Sequence, residues 1–153
     1  MKRLFLFILI CLCCNCIFAQ QDYDIAGCGQ GKNGAYLVKV TSVLKDVKTA
    51  KDVLRRNAVH GVLFRGFMND TNGGTNQKPL ISDPNTERTK AEFFKAFWNE
   101  KSYERYAQMT ASSLTSMKVK KGYEVSAIFL VDKESLQHYL EESGVIQGFS
   151  NLW

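Results

Sequence analysis

AVHGVLFRGF, residues 58–67, is the stretch on which the fold turns. Its core, 59–67, reads as the central strand of a small sheet. Val62 and Phe64 would point to one face, Leu63 and Phe67 to the other, and a strand apolar on both faces is an interior one. Gly61 and Gly66 weaken a strand unless another backbone or side chain packs closely against them. Arg65 is the discordant residue. By alternation it shares a face with Leu63 and Phe67, where a charge needs a partner or water. Either it is structural, its stem over apolar neighbours and its head on a carboxylate or helix terminus, or it binds an anion at the mouth of a cleft beside the 68–80 loop.

Working outward, AYLVKVTSVL (35–44) alternates, with Tyr36, Val38 and Val40 on one face and Lys39 and Thr41 on the other. Asp46 then caps a helix expected to run to about residue 57, with Val47, Ala50, Val53 and Leu54 at helical spacing. With the strand at 59–67 this makes a β-α-β start, whose crossover should be right-handed. MNDTNGGTNQKPLIS (68–82) reads as a surface loop, and Asp83-Pro84 opens a second helix to about residue 99. Two strands follow, over 110–119 and 123–132, joined as an antiparallel hairpin at Lys120-Lys121-Gly122. Asp132 caps the last helix, 133–143, and Gly144 ends it in a left-handed cap. The expected order is β-α-β-α-β-β-α: an α+β domain over 35–153, with one mixed sheet of about four strands packed with three helices.

Upstream, Met1-Lys2-Arg3, an apolar run from Leu4 to about Ile17, and Ala19 have the pattern of a secretory signal peptide, so 1–19 is assigned to one. The run is shorter than the about 20 apolar residues of a membrane span, and no transmembrane span is expected after cleavage. Cys11, Cys13, Cys14 and Cys16 lie inside it. None follows the small residue that a lipidation signal wants, so lipid anchoring is not expected. Cleavage leaves Cys28 alone, which excludes an intramolecular disulfide in the mature chain. It also takes only Lys2 and Arg3 from the charge, which falls from +5 to +3, a mild excess that does not call for nucleic acid. Residues 20–34, polar and glycine-rich, read as a flexible leader; GCGQGKNG lacks the spacing of a phosphate-binding loop.

Chemistry-bearing patterns are few. His60 and His138 stand without an HExxH or paired-cysteine spacing, and no metal or cofactor is implied. Cys28 with a distant histidine is the minimum for a thiol enzyme, and Ser112, Ser113 and Ser116 lack the GxSxG elbow. Lys48, Lys51 and Arg55 recur at spacings of three and four, giving a basic helix face. With Arg65 they are the possible partner- or anion-binding residues; no catalytic residue is assigned.

The segments AVHGVLFRGF, QKPL, EFFKAFWNE and GYEVSAIFLVDKESLQHYLEESGVIQGF resemble a family of small exported proteins of unknown function from Gram-negative anaerobes. Over 48–67 and 123–146 the chain is also similar to envelope α+β domains of flagellar and curli-type assembly lipoproteins and to the amino-terminal domain of the Tol translocation protein. It departs from the lipoproteins in lacking a lipidated cysteine. The resemblance implies export, to the periplasm or outside the cell, and brings no catalytic residues. The expected function is that of a non-enzymatic envelope protein, a macromolecular binding or assembly-accessory module whose partner is another envelope protein or an anionic surface polymer. The alternative is a small secreted hydrolase or thiol enzyme with a noncontiguous site.

Overall fold

A computed structural model describes residues 22–31, 34–69 and 76–148; the expected signal peptide lies outside them. The elements are β1 (Tyr23–Gln30), β2 (Tyr36–Leu44), α1 (Ala50–His60), a π-helical turn (Gly61–Arg65), β3 (Met68–Asn69), α2 (Thr86–Thr89), α3 (Ala91–Asn99), a 3-10 turn (Ser102–Tyr106), β4 (Ala107–Met109), β5 (Thr115–Val119), β6 (Gly122–Val131) and α4 (Lys133–Glu142). Among the described residues the fold is α+β with one mixed sheet and four α-helices. The sheet has six strands rather than about four, ordered β3-β1-β2-β6-β4, with β5 also on β6. The pairs are antiparallel except β1–β3, which is parallel.

The stretch read as the central strand is helical. Leu54, Ala58 and Val62 recur at intervals of four, as do Val59 and Leu63, and all five are at most 1% exposed. A short run apolar on both sides suits a buried helix as well as a buried strand. Nothing between Asn57 and His60 breaks α1, so the helix runs through. Its end is a π-turn: Gly66 N–H returns to Gly61 C=O, five residues back, at 2.8 Å. Gly66 stops it at φ +68°, in a position where a Cβ would strike the Gln77 carbonyl. The incoming chain completes the cap, as Leu80 N–H donates to Val62 C=O (3.1 Å) and Ile81 N–H to Leu63 C=O (2.9 Å). The glycines are explained by close approach after all, with Gly61 facing the Ile25 side chain.

The flexible leader is likewise corrected. Eight of its residues, Tyr23–Gln30, form β1, which pairs with β2 from Tyr23↔Ser42 to Gln30↔Tyr36. The central strands are instead β2 and β6, paired from Tyr36↔Val131 to Leu44↔Tyr123. Their inward residues, Val38, Val40, Val125, Phe129 and Val131, are fully buried under the helices. Removing a side chain such as Phe129 from this layer would cost about 3–5 kcal/mol. On the other face Lys39 is exposed, and Val43 and Met117 are 52% and 60% exposed.

The remaining expectations differ in detail. The second helix is split into α2 and α3 at Lys90, whose φ of −110° interrupts it. The 110–119 strand begins only at Thr115, after a turn in which Ser112 takes φ +56°. Asp132 caps α4 through Ser135 N–H at 3.0 Å, and Gly144 takes φ +63° as the left-handed cap requires.

Candidate functional site

Where β1 passes the end of α1, two polar side chains meet in an apolar setting. Alternation along β1 turns Tyr23 toward the helices, and His60 is the last residue of α1. The Tyr23 hydroxyl lies 2.6 Å from His60 Nδ1. Burial pushes the Tyr23 hydroxyl pKa up to about 12, against the lowering pull of Arg65. Burial likewise pushes the His60 imidazole down to about 4, helped by the charges of Arg56 and Arg65. At neutral pH the contact therefore joins a protonated phenol to a neutral ring, the ring's tautomer setting which of the two donates. The ring packs on Phe64 (5.0 Å) and Trp98 (6.0 Å), and Arg56 lies over Trp98 at 5.2 Å. Beside them burial raises the Glu87 carboxyl pKa, with Arg56 opposing.

Arg65 stands at the rim. Its guanidinium lies 4.5 Å over the Tyr23 ring, and Nη1 donates to the Tyr23 carbonyl at 2.7 Å. The side chain is otherwise exposed and, among the described residues, no carboxylate is paired with it. Its head thus meets a backbone carbonyl and an aromatic face, rather than the carboxylate or helix terminus expected of a structural arginine.

That bond also sets the phase of the β1 edge. Ser42 Oγ donates to Asp22 C=O from the β2 side at 3.0 Å, while Tyr23 C=O points away from β2 to Arg65. By strand alternation Ile25 also directs its backbone away from β2. β3 covers β1 only at Ala26 and Gly27. In that parallel register the Ile25 carbonyl and the Gly27 N–H turn to β3, leaving the Ile25 N–H open. The edge borders a depression of about 510 Å³, lined among others by Tyr23, Asp24, Ile25, Arg65, Phe67 and Gln77. What enters it meets a backbone N–H, the Arg65 guanidinium and, on the rim, the exposed Asp24 carboxylate.

The other expected site residues are not brought here. Lys48 and Lys51 are exposed at the start of α1, and 14 residues of helix put Lys51 roughly 20 Å from Arg65. Arg55 is tied to Glu104 at 3.3 Å with a side chain only 16% exposed, which takes it out of the basic stripe. Cys28 lies half-buried on β1, not in a loose leader. His138 is on the surface, 3.2 Å from Glu142. Among the described residues no group of three or more His, Cys, Asp or Glu side chains could hold a metal ion.

Sequence reasoning missed Tyr23, Glu87 and Trp98 as members of this cluster. A signal existed for the first: in YDIAGC (23–28), Tyr23 and Ile25 alternate with Asp24, a strand pattern masked by the surrounding glycines.

No protein-family model matches this chain, and neither a curated protein nor a solved structure matches it. Its site is therefore read from its own geometry. Among the described residues no helix is long and apolar enough to cross a membrane.

Proposed function

We propose that this is a non-enzymatic exported protein of the cell envelope, acting in the periplasm or outside the cell as a macromolecular binding or assembly-accessory module. The observation that carries the reading is Arg65, an exposed guanidinium held rigidly on the Tyr23 ring and carbonyl beside an uncovered stretch of strand edge. Such a group suits recognition of an anionic or carbonyl partner. The adjacent titratable pair is spent on itself, since His60 Nδ1 is occupied by Tyr23 and the ring is held neutral. Export is supported by the pattern of residues 1–19, and the envelope by the resemblance to small exported proteins of Gram-negative anaerobes.

The test uses the full-length chain with a carboxy-terminal tag, produced in a Gram-negative host, fractionated and cross-linked with formaldehyde. The expected result is a processed protein in the periplasm or medium, joined to one defined partner. A processed protein without a partner, turning over an ester or peptide substrate in a way lost in His60→Ala, would replace this reading with the hydrolase.

A further inference from the structure

We infer that the β1 edge at Tyr23–Ile25, together with Arg65, is a binding site for an extended peptide segment that presents a carboxylate. This rests on the binding reading above and names the partner's chemistry. Three observations lead to it. First, no described strand pairs with β1 at Tyr23–Ile25 on this side: β3 pairs from the Ala26 register onward, and the alternation turns the Ile25 N–H to the side where the depression lies. An extended peptide adds to such an edge through its main chain. Second, the donors are unbalanced. Arg65 already satisfies the Tyr23 carbonyl, so the edge offers N–H and guanidinium groups and calls for oxygen acceptors. A carboxylate held by a guanidinium forms the stronger, charge-assisted kind of hydrogen bond. Third, the arginine is preorganised, since its contact with the Tyr23 ring fixes the guanidinium before any ligand arrives.

A densely charged polymer fits less well. Among the described residues that line it the depression holds one cation, and the exposed carboxylate of Asp24 stands on its rim. Polyanions bind through several phosphates or sulfates at once, each needing its own cation. The walls also include the apolar Ile25 and the buried Phe67, which suit a peptide's side chains.

The probe is the synthetic hexapeptide acetyl-TVTVTV with a free carboxyl terminus, titrated into the ¹⁵N-labelled mature protein and followed by amide shifts. The inference predicts shifts centred on the amides of Tyr23 and Ile25 and on Arg65 Nε, with the carboxy-terminal amide binding about fivefold more weakly or worse. An amidated peptide ending in Glu separates the two sources of the carboxylate. Recovered affinity assigns an acidic side chain, and unrecovered affinity assigns the chain terminus. Arg65→Met should bring the free acid down to the level of the amide. If that variant does not fold, the wild-type shift map decides alone. Shifts confined to β5, the absence of shifts at millimolar peptide, or polyphosphate displacing the peptide at the same amides would each overturn the inference. Retained partner capture by the full-length protein in those cases removes this site alone; loss of capture removes the binding reading with it.

Discussion

Acidification should unfasten the Tyr23–His60 contact, and the free energy involved follows from the protonation states. In the unfolded chain a histidine takes its proton near pH 6.5; in the fold, burial and the neighbouring arginines hold His60 down to about 4. Above pH 6.5 both states are neutral and the fold has its full stability. Between pH 6.5 and 4 the unfolded chain gains a proton that the folded chain refuses, so stability falls as pH falls. Each pH unit is worth about 1.4 kcal/mol, so the window amounts to about 3 kcal/mol. For a domain of this size that is a drop of roughly 10 °C in Tm. Carboxylates titrate in part of the same range, so the informative quantity is a difference. Urea unfolding of wild type and His60→Gln at pH 7.5, 6.5, 5.5 and 4.5, read by circular dichroism, isolates it. The wild type should lose about 2 kcal/mol more than the variant across the series. Parallel loss in the two proteins would refute the reasoning, because His60 would then be charged or solvated in the fold.

Two further outcomes follow from the same region. Burial raises the Tyr23 pKa from 10.0 to about 12, so the fold keeps its full stability below pH 10 and loses this contribution as pH rises through 12; in Tyr23→Phe an alkaline urea series should be flatter than in wild type. Gly66→Ala places a Cβ at φ +68° against the Gln77 carbonyl and should cost about 2 kcal/mol or more in thermal or urea unfolding; an unchanged midpoint would mean that the cap shifts without penalty.

How legible the fold was depended on whether local pattern and tertiary packing agreed. In β2 and in α4 they did: Tyr36, Val38 and Val40 alternate and are buried, and Asp132 caps the helix that Gly144 ends. In 58–67 the pattern was degenerate. Val59, Val62, Leu63 and Phe64 satisfy a two-sided strand and a buried helix alike, and only continuity from Leu54 and Ala58 decides. β1 was hidden for the opposite reason. Gly27 and Gly29 give no propensity for a strand, and the segment is held by its pairing with β2. The candidate site inherits both misreadings, since Tyr23 stands on the unrecognised strand and His60 on the stretch of helix that reads as a strand. Arg65 was visible as an anomaly because a charge in an apolar run needs a partner. Which partner it has, a carbonyl and a ring 42 residues earlier, no local pattern could supply.

The central claim is that this protein works by holding a partner at the Arg65 end of its sheet. Site-specific photo-crosslinking on the full-length protein, produced in a Gram-negative host, tests it. A crosslinking amino acid at Met68, which is 67% exposed and lines the depression, is compared with one at Met117, 60% exposed on β5. The account predicts a covalent adduct with a protein partner from position 68 and none from position 117, and its loss when Arg65→Met is added to a protein that stays folded. Adducts from position 117 alone, or adducts from position 68 that are indifferent to Arg65, would contradict it.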